Sequence, residues 1–210
     1  LVKIMSQEHG FRGNAGAGEL VKGGKDVKTG LPIISLYGNH KKPSDADLKD
    51  VDLLLFDLQD VGLRFYTYIS TLKLAMEACA ENDVKLIVLD RPNPNGHYVD
   101  GPVLEKEFSS FVGMDPIPVV HGLTVGEYAK MVNGEFWLKD SLQCDLMVIK
   151  VSKYNHHLLY QLPIAPSPNL ANMDAVYLYP SLCFMEGTPI SIGRGTDKAF
   201  QFIVHPDFKD

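Results

Sequence analysis

Residues 51–89, VDLLLFDLQDVGLRFYTYISTLKLAMEACAENDVKLIVL, place two apolar runs on either side of a helical repeat. Val51 to Phe56 is a nearly continuous apolar run of the kind buried on both faces of a parallel sheet. After it, Ile69, Leu72, Ala75, Met76 and Cys79 recur at three- and four-residue spacing, which predicts an amphipathic helix ending near Asn82. Lys85 to Leu89 supplies the next strand, so the stretch reads as one βαβ unit. Such crossovers are right-handed in nearly all cases and bring both strand ends to the same edge. The fold class expected is α/β, a parallel sheet with helices on both faces, with Asp57 and Asp90 as neighbours in the crevice at the strand ends.

Working outward, Val2 to Met5 is a short strand-like run that ends at Glu8-His9-Gly10-Phe11-Arg12-Gly13. The Gly-rich, charged stretch from Gly13 to Gly30 reads as a long surface loop, a length that usually serves binding. Pro32 to Tyr37 is a further strand closed by Gly38, and Pro43 to Lys49, with Ser44 and Asp45 in N-cap position, a short helix. Pro92, Pro94 and Gly96 open a long connection to about Pro118. Thr124 and Glu127 have capping-box spacing ahead of a helix from Val125 to about Asn133. Cys144 to Val151 is another strand. Beyond it Pro163, Pro166, Pro168 and Pro180 break up the chain, and Glu186 to Thr196 is rich in Gly and Thr. This change of texture divides the chain into residues 1–155, an α/β domain, and 156–210, the beginning of a smaller subdomain capping the cleft.

The 210 residues carry a net charge of -6. Nucleic acid is therefore not an expected partner, since phosphate binding needs a basic field. No apolar run approaches the roughly 18 residues of a membrane span. The chain opens inside a strand at Leu1 and Val2, which is expected of a polypeptide with a further segment upstream. Cys79, Cys144 and Cys183 lack C-x-x-C spacing and read as small buried hydrophobes.

The polar clusters carry the chemistry. Glu8, at a strand end beside His9 and a Gly that permits a tight turn, can sit partly desolvated as general-acid work requires; it could equally pair with Arg12 or cap a turn. Asp57, Asp60 and Asp90 gather near the same edge, where carboxylates could act as base, orient water or hold sugar hydroxyls; singly, each could be a cap or an ion-pair partner. Arg12, Arg64 and Arg194 are planar forks for a carboxylate or phosphate. Phe65, Tyr66 and Tyr68 could stack on a sugar or serve as rim aromatics. A carboxylate magnesium site stays open, but His9, His40, His97 and His121 lack helical ligand spacing. Gly193 to Thr196 lacks the Lys of a phosphate loop, no G-x-S-x-G surrounds Ser35 or Ser70, and no G-x-G-x-x-G follows a strand. No cofactor is expected.

Taken as an ordered set, EHGFRG (8–13), TGLPIISLYG (29–38), FDLQDVGLRFYTYISTL (56–72), LDRPNPNG (89–96), GPVL (101–104), HGLTVGEYA (121–129), PSPN (166–169) and EGTPISIGRGT (186–196) resemble the NamZ-type exo-β-N-acetylmuramidases of bacterial peptidoglycan turnover. The resemblance runs across essentially the whole chain. It implies a glycosidase that removes N-acetylmuramic acid from the non-reducing end of cell-wall fragments, built on a Rossmann-like domain with the cleft against a smaller C-terminal subdomain. The family's proposed catalytic glutamate lies in the motif matching Glu8. Asp57, Asp60 or Glu186 would then assist water or hold hydroxyls, and Arg12, Arg64 or Arg194 would bind the lactyl carboxylate. His9, Tyr66, Asp90, Arg91, Asn93 and His121 fall in the matching motifs as substrate-binding candidates. The alternatives are a metal-dependent hydrolase in the same cleft and a non-catalytic muropeptide-binding protein. Chains of this family usually carry a strand and helix before the first motif, Pro where Gln7 stands here, and a longer region after the last motif, so the chain is expected to be a fragment lacking both ends. A cell-wall substrate implies the periplasm or the exterior.

Overall fold

The structure, a computed structural model, describes residues 1–12 and 23–208. Residues 13–22 of the expected Gly13–Gly30 loop lie outside it. The elements run β1 (Ile4–Ser6), β2 (Gly24–Lys25), β3 (Pro32–Ser35), α1 (Asp45–Leu48), β4 (Leu53–Phe56), α2 (Tyr68–Glu81), β5 (Lys85–Leu89), α3 (Val125–Gly134), β6 (Leu146–Ile149) and α4 (Met173–Leu182). The end of the expected loop is thus a strand: β2 pairs antiparallel with β3, which pairs parallel with β1. The turn between β2 and β3 is closed by Gly30 N–H to the Asp26 carbonyl at 2.8 Å, with Gly30 at φ 71°.

The βαβ unit forms as its sequence predicts. β4, β5 and β6 make a parallel sheet in that order. This ladder is separate from that of β1, β3 and β2, so the hydrogen bonding among the described residues defines two three-stranded sheets. Side chains alternate between the faces of a strand, and the register aligns Leu54, Leu86 and Leu146, then Phe56, Val88 and Val148, on one face. Leu72, Met76 and Cys79 of α2 and Val125, Ala129 and Val132 of α3 cover that face in a single core. Burying each large side chain contributes roughly 1.5–3 kcal/mol. The opposite face carries Leu53 and Leu55, 44% and 45% exposed, with Met147 and Ile149 also exposed. The expectation of helices on both faces is therefore met on one face among the described residues.

Local signals account for the helix ends. Ser44 and Asp47 form a capping box on α1, Thr124 and Glu127 one on α3. α2 ends with Asp83 in the left-handed region (φ 54°) and Val84 N–H returning to the Cys79 carbonyl. α4 was not anticipated, because Pro180 reads as a breaker. It stands in the last turn, where its missing N–H would orphan the Val176 carbonyl. Asn95, fully buried, supplies the replacement donor to that carbonyl at 3.4 Å. A second core joins Val61, Leu63, Tyr66 and Tyr68 to Leu170, Val176, Ile192 and Phe200, so the segment after residue 156 packs on the loop that leads from β4 into α2.

Candidate active site

β1 and β3 run parallel with Ser6 opposite Ser35. Two residues beyond that pair stand Glu8 and Tyr37. The chain turns at once after β1: Gly10 N–H closes onto the Gln7 carbonyl at 3.1 Å, and His9 takes φ 72°. A side-chain-bearing residue in the left-handed region costs roughly 1–2 kcal/mol, strain of the kind that collects at functional sites. The turn presents half-buried Glu8 to two hydroxyls. Tyr37 Oη donates to Oε1 at 3.1 Å and Thr67 Oγ1 to Oε2 at 3.3 Å.

Glu8, His9 and Tyr37 border a cavity of about 430 Å³, within the size range of small-ligand sites. Its wall is aromatic. Phe65, Tyr66 and Tyr68 come from the loop and helix start after β4, and Tyr179 and Phe200 from the C-terminal segment. They interlock edge to face, Tyr66 on Tyr68 at 4.6 Å, Phe65 on Tyr179 at 5.3 Å and Tyr179 on Phe200 at 4.8 Å. Burial pushes the Tyr66 and Tyr179 phenols well above the usual tyrosine range, so both remain protonated; Tyr66 Oη donates to the Pro166 carbonyl at 3.0 Å. Glu186 and Arg194 complete the lining as an ion pair, Oε1 to Nη1 at 2.5 Å. Ser167 and Asn169, from the PSPN segment, also border it.

The structure thus brings Glu8, His9, Tyr66, Glu186 and Arg194 to one cavity. The other candidates do not border this cavity, and each is engaged elsewhere. Asp57, exposed, pairs with Arg91 at 2.6 Å. The two do mark neighbouring strand ends, as the βαβ unit requires, but outside the cavity. Asp90 accepts from Thr124 Oγ1 and Gly126 N–H, both at 2.8 Å, and so caps α3. Asn93 is buried between Asn95 N–H and the Leu123 carbonyl. Arg12 is bound through Nε and Nη2 to Asp26, whose carboxyl is held down to about 2 by Thr29 and Arg12. Arg64 Nη1 donates to the carbonyls of Pro102 and Ile117, pinning the long connection between β5 and α3.

Asp60 lies behind the tyrosines, fully buried. It accepts Gly62 N–H at 2.7 Å on Oδ2, while Oδ1 has no partner among the described residues. Burial drives its carboxyl up to about 7. His121, also buried, accepts Leu123 N–H on Nδ1, which leaves Nε2 3.9 Å from Asp60 Oδ2. Burial drives that imidazole down to about 4. Among the described residues no three His, Cys, Asp or Glu are grouped to hold a metal ion, so Asp57, Asp60 and Asp90 form no joint donor set.

Sequence reasoning missed Tyr37, Thr67, Tyr179 and Phe200. Tyr37 was within reach, since it stands two positions past β3 as Glu8 stands two past β1. Tyr179 and Phe200 gave no local signal; they arrive through the second core.

Fold and site define an α/β protein with an acid-bearing, aromatic-walled cleft at the strand ends. The chain belongs to the exo-β-N-acetylmuramidase NamZ family: the model of the family's N-terminal part matches residues 1–174 and that of its C-terminal part residues 177–210. It is 48% identical over 214 residues to the peptidoglycan β-N-acetylmuramidase NamZ of Bacillus subtilis (strain 168), covering 100% of this chain and 51% of that protein. The chain therefore spans about half the length of this curated relative. Two crystal structures of DUF1343 family proteins from Bacteroides fragilis NCTC 9343 share the fold. One superposes with a TM-score of 0.88 at 54% identity over 99% of this chain and 55% of that one. The other superposes with a TM-score of 0.90 at 40% identity over 100% and 54%.

Proposed function

We propose that this chain carries the cleft of a glycoside hydrolase that releases N-acetylmuramic acid from the non-reducing end of peptidoglycan fragments. Membership of the family and likeness to the Bacillus subtilis relative support the reaction class. The observation that carries it to particular atoms is Glu8, at the cavity with a hydroxyl donor on each carboxylate oxygen. In this reading Glu8 delivers its proton to the glycosidic oxygen as the C–O bond breaks. Tyr37 and Thr67 stabilise the carboxylate that remains, and the aromatic wall stacks on the sugar. In the same reading Glu186, which borders the cavity while Asp57 and Asp60 do not, assists the attacking water. Residues 1–155 would form the Rossmann-like domain and 156–210 the start of the cap. The cell-wall substrate puts the protein in the periplasm or outside the cell.

The test is mass-spectrometric product analysis after incubating the full-length protein with a MurNAc-GlcNAc disaccharide, with and without chelator. Free MurNAc in equal yield under both conditions is expected. Glu8→Gln keeps the shape and removes the acid, and should lower turnover by roughly 10²- to 10⁴-fold. Turnover within a few fold of wild type would remove Glu8 from the role. Loss on chelation would point to metal-assisted hydrolysis, and saturable binding without cleavage to a sugar-binding protein.

A further inference from the structure

The sequence offers three arginines for an acidic ligand group, and the structure separates them. Arg12 is spent on Asp26 and Arg64 on two carbonyls, both outside the cavity. Arg194 borders it. Of its five N–H donors, one on Nη1 has a protein acceptor, Glu186, among the described residues, and its side chain is 43% exposed. Nor is it a loose surface arginine. Gly193 and Gly195 flank it at φ 77° and 84°, and a Cβ on Gly193 would lie 2.6 Å from the Lys198 carbonyl oxygen. Thr196 ties the turn back through N–H and Oγ1 to the Gly193 carbonyl at 3.1 and 2.7 Å. Buried Ile192 and Phe200 anchor both arms, Phe200 N–H donating to the Ile192 carbonyl at 2.8 Å. The guanidinium is thus preorganised on the tip of a glycine turn, with Glu186 orienting one edge.

The cavity also holds two carboxyl groups, Glu8 and Glu186. An anionic ligand entering it is repelled unless a cation faces it. Among the described residues that border the cavity, Arg194 is the one permanently charged cation. Resting on the glycosidase reading above, we infer that Arg194 is the specificity determinant that selects a sugar bearing a carboxylate over its neutral counterpart. It does so by pairing its unoccupied N–H groups with the lactyl carboxylate of N-acetylmuramic acid. Glu186 is its positioning partner, and the ligand's carboxylate joins that ion pair.

Calorimetric titration of the full-length protein with the methyl β-glycoside of N-acetylmuramic acid, and with the methyl ester of the same compound, tests this. A charge-assisted hydrogen bond predicts that the acid binds on the order of tenfold or more tighter than the ester. Glu186→Gln, which keeps the guanidinium and removes a competing anion, should retain or enlarge that preference. In the double variant Glu186→Gln/Arg194→Gln the two sugars should bind within about twofold of each other. Because the pair is half exposed, both variants are expected to fold. A tenfold preference surviving in the double variant, or its absence from wild type while both sugars still bind, overturns the inference and leaves the glycosidase reading in place. Failure of wild type to bind either sugar overturns that reading and this inference with it.

Discussion

The phenol of Tyr37 donates to Glu8 Oε1 at 3.1 Å, and the two residues stand level, each two positions beyond a paired serine on neighbouring parallel strands. The sheet register itself thus delivers a donor to the carboxylate. Thr67, from the start of α2, supplies the second hydroxyl at 3.3 Å. Three segments far apart in sequence hold one acid.

Tyr37→Phe removes the donor and little else. A hydrogen bond to a group that becomes charged is worth about 1.5–3 kcal/mol. Expected is a fall of roughly ten- to a hundredfold in kcat/KM on the disaccharide, with a melting temperature within a few degrees of wild type. Steady-state kinetics beside thermal denaturation checks both halves.

Asp60 and His121 bias stability in opposite senses. Asp60, raised from 3.8 to about 7, keeps in the fold a proton that the unfolded chain releases. Its contribution is full below about pH 4 and lost as pH rises through 7. His121, lowered from 6.5 to about 4, refuses in the fold a proton that the unfolded chain takes up. Its contribution is present above 6.5 and lost as pH falls through 4. Each amounts to a few kcal/mol at most, so wild-type stability should vary little between pH 4 and 7. Asp60→Asn leaves His121 unopposed: urea midpoints should then drop as pH is lowered from 6.5 to 4, and exceed wild type at pH 8. A parallel pH dependence in both proteins would sink this account.

Gly62→Ala should be severely destabilising. Gly62 has φ 80°, and a Cβ there would fall 2.2 Å from Asn93 Oδ1. The amide cannot retreat, since it bonds Asn95 N–H at 2.8 Å and the Leu123 carbonyl at 2.9 Å. Strain and clash together predict a loss of about 2–4 kcal/mol, readable as a shift of the denaturant midpoint at unchanged m-value.

Asp90→Ala removes the acceptor of Thr124 Oγ1 and Gly126 N–H at the start of α3, while the Thr124–Glu127 capping box stays. A charged acceptor at a helix N-terminus contributes about 1–2 kcal/mol. Stability should fall by that amount while sugar affinity, measured by calorimetry, changes less than about twofold. A selective loss of affinity would return Asp90 to the binding site.

What the sequence determined by itself is what short-range physics decides. The alternation of apolar runs with a 3.6-residue repeat made β4, α2 and β5 legible, and Ser44 in N-cap position and the box at Thr124–Glu127 placed the starts of α1 and α3, because a cap bonds within four residues. Glu8 stood out for a similar reason, as an acid in a turn directly after a strand. Tertiary structure decided which strand ends share a cavity. Asp57, Asp60 and Asp90 looked like partners of Glu8, but an arginine, a buried turn and a helix start claimed them first. Pro180 hid α4, since the donor to the carbonyl that proline leaves open is Asn95, 85 positions earlier. Tyr37 reached Glu8 through strand register, Tyr179 and Phe200 through the second core. That Arg194 borders the cavity while Arg12 and Arg64 do not likewise depended on tertiary neighbours. A charged side chain binds whatever partner the fold brings within about 3 Å, and for these residues that partner is remote in sequence.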